Sequence, residues 1–278
     1  MTLPSTVAAG AYYIIAKADA DNTAVETDDA NNTIARAIQI GGDLVVSSLT
    51  VPPKGGVGGT IVVSDTTTNN GAAAVAESAT RFYLSTDTIL NAADMLLSGA
   101  RAVPALAAGA GSTGSTTLSL PTTINVGIYY LIAKADGDNV VAEAQETNNT
   151  NVRSIAIGPD LSVGGLTIQF TIAAGATVLA TDTVQNSGGD PAGPSTTKFY
   201  LSANLSLDAG DVLLAGSRAV PGLAAGASST GSTAVTIPAG TVPGVYYLFA
   251  VVDADGAVTE AQENNNNALR AIQVVAGS

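Results

Sequence analysis

The residues with chemistry to offer in this 278-residue chain are its carboxylates, and they recur in two clusters. The first is Asp136-Gly137-Asp138-Asn139 followed by Glu143 and Glu146. The same spacing returns as Asp253, Asp255, Glu260 and Glu263, and again as Asp19, Asp21, Glu26 and Asp29. Oxygen ligands at alternate positions in a tight turn suit a hard cation such as calcium, which takes about six to eight oxygens. Asp-Gly and Asp-Asn also favour hairpin turns without any ion, so a plain turn is the competing reading. The second cluster is Asp87, Asn91 and Asp94, matched by Asn204, Asp208 and Asp211. It brings two carboxylates per copy and reads first as a solvated crossover capped by Asp and Asn.

Other chemistry is harder to build. His and Cys are both absent, which removes the commonest general base, the thiolate metal ligand and any disulfide framework. Glu143 and Glu146 have the residue types of a glycoside-hydrolysis pair. They repeat in every unit, however, in an expected turn with no aromatic platform beside them, so no enzyme is expected. Gly55-Gly-Val-Gly-Gly59 lacks the lysine and following helix of a phosphate-cradling loop. Net charge is −13, with 10 Lys+Arg against 23 Asp+Glu, and no basic cluster serves nucleic acid or an anionic membrane surface. No apolar run reaches the 18 or so residues of a membrane span. Met1-Thr-Leu-Pro lacks the basic start and apolar core of a signal peptide, so an export signal is expected outside this sequence.

A constant offset positions these clusters. Tyr12-Tyr13, Tyr129-Tyr130 and Tyr246-Tyr247 lie 117 residues apart (129 − 12 and 246 − 129), and Arg36, Arg153 and Arg270 keep the same step. So long a period means tandem globular domains, not a solenoid of short repeats. Within a unit, short β-branched or aromatic runs are bounded by Gly, Asn, Asp or Pro. They are Leu44 to Leu49, Thr60 to Val63, Arg81 to Leu84, Thr116 to Leu120, Ile128 to Ala135 and Val152 to Ile157. The pattern predicts an all-β sandwich of immunoglobulin-like or fibronectin III-like type, with one short helical turn over Ile89 to Leu97. With aromatics at 4% and Trp absent, the core must be aliphatic, and one ring of each Tyr pair is expected inside and one outside.

The expected domains are 43–157 and 160–275, preceded by residues 1–41, which match only the C-terminal half of a repeat. The chain thus holds three C-terminal halves and two N-terminal ones, a deficit that identical copies cannot repair. Either the chain is an excerpt of a longer array or another contact covers the opening strands, which otherwise expose a sheet edge and an apolar face.

Phe82-Tyr83-Leu84-Ser85 with Asp87 and Asp94, Leu106-Ala-Ala-Gly109, Gly127-Ile-Tyr-Tyr130 and Glu143-x-x-Glu146-x-Asn148-Asn149 resemble the bacterial cell-adhesion-related domain, CARDB. The likeness covers the whole repeat and recurs 117 residues later. It implies an immunoglobulin-like sandwich in extracellular bacterial proteins, used as a spacer or adhesion module without catalytic activity. In such a fold the loop after the Tyr-Tyr strand and the Asp87 loop lie at opposite ends. Asp87, Asp94, Asp160, Asp253 and Asp255 are then expected to face one joint, where calcium would neutralise their repulsion. The full expected ligand set is Asp136, Asp138, Glu143, Asp253, Asp255, Glu260, Asp87, Asp94, Asp160 and Asp211. The expected role is a rod-like stalk or filament on the bacterial surface. Its expected partner is itself, through repeat ends or the N-terminal half-domain. The alternative is a module binding a surface glycan or protein.

Overall fold

Strand follows strand from the first ordered turn onwards, because the runs between Gly, Asn and Pro are too short and too β-branched to wind a helix. The structure is a computed structural model that describes residues 2–4 and 6–277, so Met1 and Ser5 of the expected half-domain fall outside it. The chain divides into two compact units. One is Met1–Val51, Ile61–Ser119 and Tyr130–Arg153; the other is Pro52–Thr60, Leu120–Tyr129 and Ser154–Ser278.

The first unit opens with β1 (Gly10–Lys17) and β2 (Thr33–Ile40), an antiparallel pair that forms a sheet of its own. Next along the chain come β3 (Leu44–Thr50), the two-residue β4 (Lys54–Gly55, within the second unit), β5 (Thr60–Asn69), β6 (Ser78–Ser85), β7 (Met95–Val103), β8 (Gly111–Ser119), and β9 (Gly127–Lys134) and β10 (Thr150–Ile157), which are shared between the two units. β3 pairs with β5, and β6 runs antiparallel between β7 and β9. Odd-numbered residues of β5 turn inward, as strand periodicity requires, giving buried Ile61 and Val63 on one face. Phe82, Leu84, Leu97, Val103, Leu118 and Leu131 complete an aliphatic core around one aromatic ring.

The second unit holds β11 (Leu161–Thr167), β12 (Thr171–Ala173), β13 (Thr177–Asn186), β14 (Ser195–Ser202), β15 (Val212–Val220), β16 (Ser228–Thr236), β17 (Gly244–Val251) and β18 (Asn267–Val275). A three-stranded sheet, β11-β13-β16, faces a five-stranded sheet, β12-β18-β17-β14-β15. Phe199, Leu201, Leu214, Val235, Ile237, Leu248, Ile272 and Val274 pack between them. A second cluster forms around Leu161, Val184, Val252 and Val258. Burial of roughly 1.5–3 kcal/mol per aliphatic side chain must carry such a core by number.

Two expectations are corrected. Ile89 to Leu97 contains no helical turn; Asp94 and Asn91 close a short turn and a strand begins at Met95. Both rings of each full-repeat Tyr pair are half-buried, with Tyr246 against the core. β4 and β12, which carry no apolar alternation, pair in parallel with the ends of β10 and β18.

Candidate functional site

The acidic loop after the Tyr-Tyr strand is built outward from one Asp. In the second unit Asp253 has φ 48°, a left-handed conformation that Asp tolerates because its short side chain bonds locally. Its carboxylate accepts from the amides of Ala257 and Val258, each at 3.0 Å. This folds the loop so that Val258 drops into the core. Glu260 then reaches back to the start of the repeat. Its carboxylate accepts from the Leu161 amide and from Asn266 Nδ2 (2.8 Å), while Ala261 N donates to Pro159 O (2.8 Å). Asn265 Nδ2 donates to Asp160 Oδ1 at 2.8 Å, and the Asp160 amide is held by Asn186 Oδ1 at 3.1 Å. The Gly158-Pro159-Asp160 stretch is thereby clamped to the loop that precedes β18.

The first unit repeats the device. Asp136, φ 42°, accepts from Val140 N (3.1 Å) and Val141 N (2.9 Å). Glu143 takes the Leu44 amide and Asn149 Nδ2 (2.9 Å), Ala144 N donates to Gly42 O (2.7 Å), and Asn148 Nδ2 donates to Asp43 Oδ1 (3.0 Å). The side-chain amides of Asn148 and Asn149 do not cap the turn through backbone bonds. They bond carboxylates instead, because burial leaves Asp43 and Glu143 needing donors. Desolvation pushes the carboxyls of Glu143 and Glu260 up to about 7. The Leu44 and Leu161 amides pull the other way, and Glu146 with Asp136, or Glu263 with Asp253, add repulsion.

The other expected ligands are engaged as well. Asp138 makes a two-pronged pair with Arg81, both contacts 3.1 Å, and Asp255 pairs with Lys198. That contact lowers the Asp255 carboxyl below its ordinary range and raises the Lys198 ammonium. Asp87 accepts from Ile89 N and Asp94 from Asn91 N, both at 2.7 Å, and Asp211 from Asp208 N at 2.8 Å. Among the described residues no three Asp or Glu side chains gather where they could hold a metal ion. The buried amide oxygens of Asn148, Asn149, Asn265 and Asn266 have no hydrogen-bond donor.

Sequence reasoning missed one pair per repeat. Arg101 forks onto Asp65 through Nε (2.7 Å) and Nη2 (2.5 Å) with the Asp fully buried, and Arg218 meets Asp182 in the same way (2.8 and 2.5 Å). The signal was in the alternation. Asp65 shares the inward face of β5 with Ile61 and Val63, where only a paired acid is tolerated.

Fold and clamp together define a tandem array of all-β modules whose recurrent polar residues tie each module's start to its end. The CARDB family model matches twice, over residues 41–153 and 158–270, and the chain belongs to the CARDB family. Such repeats are adhesion-type modules. The chain is similar to the CARDB domain of a Pyrococcus furiosus protein, solved in complex with di-metal ions. That match has 25% identity, covers 42% of this chain and 89% of that one, and has a TM-score of 0.31. A solution structure of the same domain gives 24% identity, 42% and 95% coverage, and a TM-score of 0.32. A red sea bream transglutaminase matches at 10% identity over 86% of this chain and 32% of its own, with a TM-score of 0.48. No curated protein sequence matches the chain.

Proposed function

We propose that the chain is a non-enzymatic, extracellular spacer of a bacterial surface, a rod-like stalk or filament whose modules are built to resist pulling. The observation that carries this is the parallel pairing of β12 with β18. Force applied at the two ends of a repeat draws β12 backward and β18 forward. Parallel neighbours then slide against each other, so Ala174 N to Val275 O (2.9 Å) and Gln273 N to Phe170 O (2.7 Å) are loaded together, not one after another. Ala156 N to Pro53 O (2.9 Å) and Gly158 N to Gly55 O (3.1 Å) have the same arrangement. Glu143, Glu146, Glu260 and Glu263, the residues of the glycosidase-like pair, each accept from a backbone amide, which supports a structural role.

Single-molecule stretching tests this. Each repeat is expected to give a discrete rupture. Ala174→Pro, which removes the loaded donor just past β12, should lower one of the two rupture forces while the other repeat keeps its own. Ruptures as weak as those of strands unzipped one bond at a time would defeat the proposal.

A second reading is calcium stiffening, favoured by the donorless amide oxygens of Asn148, Asn149, Asn265 and Asn266 beside carboxylates. Calcium titration followed by a chelator tests it, with a reversible rise in melting temperature as the expected result. No shift at millimolar calcium removes the cation from the account.

A further inference from the structure

The two full repeats share a core, so the positions at which they differ are informative. Several of these surround one cleft in the second unit. There Leu201, Val212, Val242 and the ring of Tyr246 wall a cavity of about 480 Å³, with Asp208 and Asp211 on its rim. Small-ligand sites occupy roughly 300–1,000 Å³, so the cleft is of ligand size. The residues 117 positions earlier show how the space arises. Ala203 stands for Thr86, Gly210 for Ala93, Val212 for Met95, Gly240 for Thr123 and Thr241 for Ile124. Every one of these exchanges removes side-chain volume. Val242 for Asn125 adds a little, and trades an amide for an apolar wall.

The polar groups differ as well. In the first repeat the Tyr129 hydroxyl donates to Asn125 O (3.0 Å); the Tyr246 hydroxyl has no hydrogen-bond partner among the described residues. Asn91, whose amide donates to Ile89 O (3.1 Å), becomes Asp208, a second carboxylate on the rim. Each rim carboxylate spends one oxygen on its own turn: Asp208 Oδ1 takes the Gly210 amide (2.7 Å) and Asp211 Oδ2 the Asp208 amide (2.8 Å). Their other oxygens make no hydrogen bond among the described residues. Nor does any described cation pair with them, whereas Asp138, Asp255, Asp65 and Asp182 each have one.

We propose that this cleft binds a lysine side chain of a partner polypeptide. The apolar walls take the methylene stem while the ammonium reaches the rim, the division that lysine adopts wherever its stem lies on apolar surface. An ammonium offers three separate donors, which suit two single carboxylate oxygens and the Tyr246 hydroxyl oxygen. The planar fork of arginine would want both oxygens of one carboxylate. The aromatic ring adds attraction for a cation, and the net charge of −13 favours the approach of a basic partner. None of this depends on the repeat bearing load.

The test uses the full chain and the peptide acetyl-Gly-Lys-Gly-amide, titrated into the millimolar range and followed by the NMR shifts of the Gly210 and Gly240 amides. Saturable shifts at both are expected. Acetylating the lysine ε-amine, or replacing lysine by norleucine, should weaken binding about tenfold by removing the charge. Val212→Met with Gly240→Thr restores the residues of the first repeat, and a Cβ on Gly240 meets no atom within 4 Å, so this chain should fold and lose binding. Asp208→Asn, again the residue of the first repeat, should also weaken binding about tenfold. Equal binding of the lysine, acetyl-lysine and norleucine peptides overturns the proposal, as does full binding by the filled variant. Shifts at Gly210 and Gly240 with a β-linked glucose trisaccharide and none with the lysine peptide would also overturn it, giving the cleft to a glycan. The rupture forces of the two repeats are untouched by any of these results, so failure here is separable from failure of the load-bearing reading.

Discussion

The N-terminal β-pair and its counterpart at the end of the chain have the same register and nearly the same residues, yet one is exposed and the other is core. What they share is everything local: the hairpin pairing, and an Asp in left-handed conformation that closes its loop on two amides. What separates them is everything that must arrive from far along the chain: a strand on the free edge, an amide for the Glu, and an apolar face above. The difference separates the interactions that fold a CARDB loop from those that lock a CARDB domain. The locking set should therefore be the more costly to damage.

The largest effect is expected at the buried ion pair, which joins β13 to β15. Arg218→Met leaves the Asp182 carboxylate buried without its cation, and breaking such a pair costs about 3–5 kcal/mol. Urea denaturation should show a transition shifted by that amount. Adding Asp182→Leu to the same chain should recover most of the loss, because well-packed apolar groups replace a buried pair with little penalty. A double variant as unstable as the single one would mean that the fork does more than neutralise a charge.

Next is the clamp, whose signature is a dependence on pH. The carboxyls of Glu143 and Glu260 lie at about 7 in the folded chain against an ordinary 4.5. The folded state therefore holds protons that the unfolded state releases. The resulting stability is complete below pH 4.5 and disappears as pH rises through 7. Unfolding free energy should fall between pH 5 and pH 8 by on the order of 1–2 kcal/mol per group after solvent screening. Glu143→Gln with Glu260→Gln should flatten that slope. A slope that survived the double substitution would place its origin elsewhere.

The local set comes lower. Asp253→Ala removes the acceptor of two loop amides and puts a non-Asp residue at positive φ, an effect of about 1–2 kcal/mol. The same substitution at Asp19 should leave both full repeats unaltered in melting.

Much of this was legible in advance, for reasons that particular residues show. The 117-residue step and the runs at Leu44, Thr60, Arg81 and Ile128 announced strands because strand periodicity is written in adjacent residues. The expected runs fell short of β5 and β8, whose polar Ser and Thr positions continue the pairing through hydroxyl contacts such as Thr66–Thr113, as Thr181–Ser232 does between β13 and β16. β4 and β12 could not be seen, since parallel edge pairing at the end of a repeat leaves no apolar alternation. Among the carboxylates, Asp136 and Asp253 were read as cation ligands or as turn formers, since the same short Asp side chain in a tight loop serves either. The destinations of Glu143 and Glu260 were hidden because their partners, Leu44 and Leu161, lie 99 residues away and contribute only a backbone amide. A side chain that bonds main chain leaves no trace in the residue type opposite it.

The smallest expected effect sharpens the boundary between the two classes of contact. Arg81 and Asp138 join distant parts of one repeat, so by sequence separation they belong with the locking set. By exposure they do not: their side chains are 34% and 43% accessible, and exposed pairs contribute about 0.2–1 kcal/mol. If distance along the chain alone decided cost, Asp138→Ala should approach the clamp substitutions. If burial decides, it should cost less than about 1 kcal/mol and fade further at about 1 M salt, where the screening length falls to about 3 Å. Thermal unfolding of Asp138→Ala at low and high salt separates the alternatives. The expected result is a small, salt-sensitive shift, because the clamp and the fork owe their strength to exclusion of water and this pair keeps its own.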